Sequence, residues 1–225
     1  MDGVHLVQSY LERFGPEGVE LVVKRSAMKH PEIGALAQQA RSTALSDSLF
    51  DEVAPVEFPL GILAVAPMPG AIALSQGRGF QVLLDGVRDP GNVGAILRSA
   101  AAAGASVVHL SSDCADPWSP KCLRGGMGAQ FLLAVQEHRS LALDAGGLGA
   151  RLIACTTDAE TSLFDAHLGG NVGFIVGGEG PGISPELLAQ AQARIRVPMR
   201  PGVESLNVGA AAAVCFYEWA RQANA

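Results

Sequence analysis

The 225-residue chain lacks the residue patterns that build metal centres and disulfide frameworks. Its four cysteines, Cys114, Cys122, Cys155 and Cys215, show no Cys-x-x-Cys spacing, and its five histidines lie singly. Neither a metal site nor a disulfide scaffold is expected, and a reduced, cytoplasmic setting is the default. Positive charge is scarce: 16 Lys and Arg face 22 Asp and Glu, for a net charge of −6. A globally basic nucleic-acid binder is excluded, so any phosphate-gripping surface must be local. No apolar run reaches the ~18 residues of a membrane span. Met1 to Tyr10 has neither the basic flank nor the long apolar core of a signal peptide. The dinucleotide fingerprint Gly-x-Gly-x-x-Gly and the phosphate-loop Gly-Lys-Ser/Thr are both missing, and Ser205 is not in a Gly-x-Ser-x-Gly elbow.

Glycine, by contrast, is plentiful. The chain has 27, above the usual ~7%, and they cluster in loops that follow apolar runs. Residues 1–70 read as a small α/β unit: a helix over Val4–Phe14 stopped by Gly15-Pro16, a strand at Val19–Val23, and a helix from Pro31 to Ala40. A short helix capped by Ser46 or Asp47 and a strand at Leu60–Ala66 complete it. Pro67, Pro69 and Gly70 open a linker over 71–79. From Phe80 strands and helices alternate through 225. Strands are expected at Phe80–Leu84, Val107–Leu110, Phe131–Val135, Arg151–Cys155, Val172–Val176 and Ile195–Val197. Helices are expected at Val93–Ala103, Trp118–Met127, Leu141–Ala145, from Ser184, and at Asn207–Gln222. This alternation predicts a parallel sheet with helices on both faces.

Three stretches carry chemistry. Asp85–Asn92 joins a strand to a helix, the place where open parallel sheets bind ligands. Asn92 is positioned to cap that helix, with Arg98 reaching back from its second turn. Val172-Gly-Phe-Ile-Val-Gly-Gly-Glu-Gly-Pro-Gly-Ile183 is a buried strand breaking into glycines around one acid, Glu179. Glycines there let main chain approach a ligand closely. Ile195–Met199 and Glu204-Ser-Leu-Asn-Val-Gly209 lead into an alanine-rich final helix. Taken singly, each has a bland structural meaning: a tight turn, an N-cap, a solvated arginine. A basic group, Lys24, Arg25, Lys29 and His30, stands out in so acidic a chain as a phosphate-contacting patch or a solvated loop in equal measure.

Together, Asp89–Ala100, Ile175–Ile183 and Val197–Met199 with Glu204–Val214 resemble the three motifs of the SpoU/TrmH family, the RNA ribose 2′-O-methyltransferases of the SPOUT superfamily. They occur in the family's order over residues 80–222, with Pro120-Lys121 and Met127-Gly-Ala129 also similar. Residues 1–70 more loosely resemble the small substrate-binding domain that often precedes this catalytic domain. The resemblance implies a parallel α/β domain with a carboxyl-terminal trefoil knot, S-adenosylmethionine as cofactor, ribosomal or transfer RNA as substrate, and a homodimer. It implies cofactor contacts at Ile175, Gly177, Val197, Met199 and Leu206. It implies a catalytic set of Arg98, Asn92, Glu179, Ser205 and Asn207. RNA contacts are expected at Lys24, Arg25, Lys29, Lys121 and Arg124. Gly178 departs from the polar or small residue that often precedes the glutamate, which is expected to loosen that turn.

Methyl transfer from a sulfonium is an in-line displacement, so positioning carries much of the rate gain. The family resemblance assigns Arg98 to activating the ribose hydroxyl. A guanidinium with a pKa above ~12 is effectively always protonated, so Arg98 is expected to hold a phosphate and stabilise the developing alkoxide. Two other readings stand beside this one: a catalytically silent RNA-binding or assembly factor on the same fold, and a SPOUT base methyltransferase. Intact Asn92, Arg98, Glu179 and Asn207 oppose the first, and Glu-Ser-Leu-Asn favours ribose over base.

Overall fold

The computed structural model describes residues 1–70 and 79–223, so the expected linker lies, except for Gly79, outside the described residues. The amino-terminal unit holds α1 (Val4–Phe14), β1 (Glu20–Lys24), α2 (Pro31–Leu36), β2 (Arg41–Leu45), α3 (Asp47–Val53) and β3 (Ile62–Val65). Its sheet has the order β2-β1-β3, with β1–β2 parallel and β1–β3 antiparallel. Ser46 caps α3 by accepting the Leu49 N–H. The strand β2 is absent from the sequence reading for a physical reason. Arg-Ser-Thr-Ala-Leu is an exposed edge with almost nothing to bury, so no apolar alternation marks it.

The second unit runs β4 (Gln81–Asp85), α4 (Pro90–Ala103), β5 (Val107–Ser111), α5 (Pro120–Gly126), β6 (Ala134–His138), α6 (Leu141–Ala145), β7 (Arg151–Cys155), β8 (Val172–Gly177), α7 (Pro185–Leu188), β9 (Ala193–Ile195) and α8 (Val208–Ala223). Its six strands are all parallel, in the order β6-β5-β4-β8-β7-β9. Helices lie on both faces, as expected: α4 and α8 pack over a core of Phe80, Val82, Leu84, Phe174 and Phe216, while α6 and α7 cover Leu83, Leu152 and Ile175 on the other side. Gly104 stops α4 in the left-handed conformation, at φ 89°. No helix among the described residues is long and apolar enough to cross a membrane.

Several boundaries differ from expectation: α2 ends at Leu36, short of Ala40, α4 begins at Pro90, ahead of Val93, and the strands β6 and β9 shift as well. β6 begins three residues later than the apolar run Phe131–Val135. Phe131 sits instead in a 3₁₀ turn (Ala129–Phe131) and packs against Tyr10 and Phe14, at centroid distances of 5.6 and 5.8 Å. That apolar run therefore serves the junction between the two units, and the edge strand is built from the more polar Gln136-Glu137-His138. β9 likewise ends at Ile195, leaving Val197 to a loop.

The strand order reverses between β4 and β8. Chain order moves outward from β4 through β5 to β6, then returns to the other side with β7 and β8. A crevice opens at the carboxyl ends of the strands at such a switch point. Asp85 and Gly177, the last residues of β4 and β8, are direct partners in the ladder there.

Candidate active site

The loop after β4 is tied down before it reaches α4. Asp85 accepts the Ser184 N–H through Oδ2 at 2.7 Å and the Gly178 N–H through its carbonyl at 2.8 Å, so the loops after β4 and β8 form one body. Gly178 is required there: a Cβ on it would sit 2.0 Å from the Gly86 carbonyl oxygen. Its place in the motif tightens this turn, the reverse of the loosening expected from sequence. Gly177 has a similar reason, since a Cβ would lie 2.3 Å from the Gly182 carbonyl carbon.

Asp89, and not Asn92, caps α4. Its Oδ1 accepts the Asn92 N–H at 2.8 Å. That hydrogen bond, and then the Lys121 ammonium 3.5 Å away, hold the Asp89 carboxyl below its ordinary range. Asn92 lies inside the first turn, which frees its side chain. Its Nδ2 donates to Glu179 Oε1 at 2.8 Å, and its Oδ1 accepts from Asn207 Nδ2 at 3.0 Å. Asn207 in turn caps α8, its Oδ1 accepting from Gly209 N at 3.0 Å and Ala210 N at 3.3 Å. Those two donors fix which end of the Asn207 amide is the oxygen. The direction of the whole row follows: α8 amino terminus, Asn207, Asn92, Glu179, with every member donating toward the carboxylate. Three residues separated widely in sequence, one from each motif, thus meet in one line.

Beside this row lies a cavity of about 80 Å³ walled by Cys155, Thr156, Thr157, Ile195, Val197, Met199, Ser205, Leu206, Ala211 and Cys215. Four of the residues predicted from sequence, Val197, Met199, Ser205 and Leu206, come together here. Ile175 does not: it is fully buried among the residues under α6 and α7. Gly177 is not in the wall either and acts on the glycine loop. Sequence reasoning missed Thr156, Thr157 and the two cysteines. The same carboxyl-end rule, applied to β7, points to Cys155-Thr-Thr157. The Thr156 Oγ1 is buried without a hydrogen-bond partner, an arrangement that disfavours an empty wall and favours a polar ligand group. Its apolar lining, short of the ~300 Å³ of a full ligand pocket, suits one end of an amphipathic molecule. A cofactor with an apolar stem and polar groups fits these donors.

The remaining candidates lie apart. Arg98 is exposed, two turns along α4, with no hydrogen bond or ion pair to any described residue. Arg25, Lys29 and His30 are exposed in the amino-terminal unit, while Lys24 is paired with Asp51 at 2.8 Å. Arg124 faces that unit, its Nη1 donating to the Phe58 carbonyl at 3.0 Å and lying 3.6 Å from Asp2.

With this geometry in view, comparison with known proteins is informative. Residues 79–217 match the model of the SpoU rRNA Methylase family. The chain is 31% identical to the 23S rRNA (guanosine-2′-O-)-methyltransferase RlmB of Xanthomonas campestris, over 98% of this chain and 95% of that protein. It is 30% identical to the 23S rRNA (guanosine(2553)-2′-O)-methyltransferase RlmP of Bacillus subtilis, over 96% and 86%. Among solved structures it resembles the SpoU methyltransferase AviRb of Streptomyces viridochromogenes in complex with AdoMet. That likeness has a TM-score of 0.86 and 25% identity, covering 100% of this chain and 90% of that one. The parallel sheet, the three motifs meeting at its switch point and these likenesses agree: the chain belongs to the SpoU rRNA methylase family.

Proposed function

We propose that this protein transfers a methyl group from S-adenosylmethionine to a ribose 2′ oxygen of ribosomal RNA. The observation that carries the reading is the directed row Asn207–Asn92–Glu179 laid against the cavity of Val197, Met199, Leu206 and Thr156. Bound S-adenosylmethionine would supply an electrophilic methyl on a sulfonium centre. Thr156, Val197, Met199 and Leu206 would hold it, the hydroxyl of Thr156 gaining the partner it lacks.

The chain's own residues then position the nucleophile. Asn92 is locked by a donor on one side and an acceptor on the other, so it presents a fixed edge at the amino end of α4. Glu179 keeps one carboxylate oxygen engaged with Asn92, leaving its other oxygen to orient a hydroxyl or a guanidinium. Arg98, always charged, grips a backbone phosphate and stabilises negative charge on the ribose oxygen as its proton passes to solvent. The new O–C bond would replace the C–S bond of the sulfonium, which would leave as a neutral thioether. Ser205, next to Leu206 and two residues before Asn207, reaches the same edge.

The same reading includes further parts. Arg25, Lys29 and Lys121 contact RNA, supported by their exposure. The chain pairs as a homodimer in the cytoplasm, supported by an exposed Tyr217 on α8 near an otherwise filled aromatic cluster. The carboxyl-terminal segment is threaded as a trefoil knot. That threading is supported by the family likeness and by the guanidinium of Arg196, which reaches the carbonyls of Ala159 and Glu160 across the loop after β7.

The test is methylation of transcribed 23S rRNA with methyl-labelled S-adenosylmethionine, followed by alkaline hydrolysis. A methylated 2′ oxygen cannot attack its phosphate, so label is expected in alkali-resistant dinucleotides. Label in mononucleotides would identify a base methyltransferase, and no label with intact cofactor binding would identify a silent RNA binder.

A further inference from the structure

Arg124 is the residue whose surroundings fit least with a surface that touches RNA. It closes α5 and points its guanidinium into the junction between the two units. There Nη1 lies 3.0 Å from the Phe58 carbonyl oxygen and 3.6 Å from Asp2 Oδ2. The Asp2 side chain is 0% exposed. Its Oδ1 accepts the Leu60 N–H at 3.1 Å, and its Oδ2 has no hydrogen-bond partner. A carboxylate so placed needs a cation close by; Arg124 is the side chain paired with it among the described residues, and the Met1 ammonium, which also feels the Asp2 charge, comes from the same unit as Asp2.

Apolar contacts surround this pair. Leu123 and Phe131 belong to the core of the amino-terminal unit, with Trp118 packed against it. On its other side α5 is fused to α4. A Cβ on Gly94 would lie 2.6 Å from the Cys122 carbonyl oxygen, and one on Gly125 would lie 3.5 Å from the Gly94 Cα. Lys121 of α5 pairs with Asp89, the cap of α4. The helix that bears Asn92 and Arg98 therefore continues, through α5 and Arg124, into the amino-terminal unit.

We infer that Arg124 is a positioning residue. Together with Asp2 it clamps the amino-terminal unit onto the α4–α5 pair, and so sets the distance between that unit's exposed Arg25 and Lys29 and the ribose site. This rests on the reading of RNA as substrate. A clamped unit meets a second segment of RNA at high effective concentration once the first is bound, and a loosened one does not.

The experiment compares wild type with Arg124→Ala, Asp2→Asn and the double variant, using transcribed 23S rRNA. Each single variant is expected to raise KM for RNA about tenfold, with kcat and S-adenosylmethionine affinity unchanged, and the double variant to be no worse than either single one. Should Asp2→Asn fail to fold, Asp2→Glu keeps the charge while displacing it, and the same KM rise is expected. If Arg124 instead touches a phosphate, Asp2→Asn frees it and RNA binding holds or tightens, while Arg124→Ala alone weakens binding and lowers its salt slope by about one; that pattern overturns the clamp. Unchanged KM in both variants overturns it equally. Small-angle scattering separates this from the functional reading. An Asp2→Asn protein that becomes more extended keeps the clamp even if wild type methylates no RNA offered.

Discussion

Asn207 is held from three sides, by two backbone N–H groups of α8 and by the Asn92 oxygen, and that makes its replacement informative. Asn207→Asp keeps the cap but has no amide to donate, so Asn92 must turn and set its oxygen against Glu179. The expected result is a kcat loss of roughly 100-fold, the scale of one misplaced preorganised group, with cofactor affinity within a few-fold by calorimetry. Near-normal turnover would separate the row from the chemistry. Arg98→Ala is expected to lose a similar factor in turnover while binding S-adenosylmethionine normally. Arg98→Lys should recover little, because an ammonium lacks the planar two-pronged contact. Loss of cofactor binding in Arg98→Ala would make it a residue of the pocket instead. Far from the site, His109 offers a pH-dependent test. Its Nε2 faces Gln81 Oε1 at 3.2 Å, and its Nδ1 faces His138 at 2.9 Å. Burial, and then the neighbouring His138, push its pKa from 6.5 down to about 4. A histidine kept neutral in the fold takes up its proton more readily once unfolded. Its contribution is therefore fully present above 6.5 and declines as pH falls toward 4, at up to about 1.4 kcal/mol per pH unit. His109→Gln should lose less stability than wild type over that window in urea titrations. Parallel curves for the two proteins would count against a neutral His109.

At the scale of elements, the glycine loop after β8 and the turn after β4 are one construction, and Gly178 is its closest approach. Gly178→Ala would press a methyl into the Gly86 carbonyl, so the loops must part. S-adenosylmethionine affinity should fall at least tenfold with a lower melting temperature, and an unaltered affinity would mean that the loops move independently of the pocket. Sequence made this region legible because its signals are local: apolar runs, glycines and caps placed β4, β8 and α8 within a residue or two. It misjudged Asn92 because the N-cap competition is decided by three residues, Asp89, Pro90 and Asn92, and the aspartate before a proline at the first helical position won it. It missed Thr156 because nothing local distinguishes a threonine that lines a cavity from one in a turn. It placed β6 too early because Phe131 is apolar for the sake of Tyr10 and Phe14, more than a hundred residues away. Periodicity cannot tell a strand from a junction of that kind.

For the whole molecule, the surface of α8 bears on how many chains act together. The aromatic residues of α8 are mostly spent within the chain. Phe216 is fully buried, and Trp219 lies 4.8 Å from the Phe80 ring, which leaves Tyr217 facing solvent. Light scattering at micromolar concentration is expected to give the mass of a dimer, and Tyr217→Glu to shift it toward a monomer. A wild-type monomer would place the complete site within one chain. The Asn92–Asn207 contact, finally, bridges 115 positions of sequence. At ~5–20 residues per second of synthesis, on the order of ten seconds separate the emergence of its two halves. During that interval strands β4 to β8 already have their neighbours, while Asn92 waits for the residue that orients it. Catalytic competence therefore arrives last, after the sheet. A refolding chain should recover the far-ultraviolet circular dichroism of its sheet before it regains the ability to methylate.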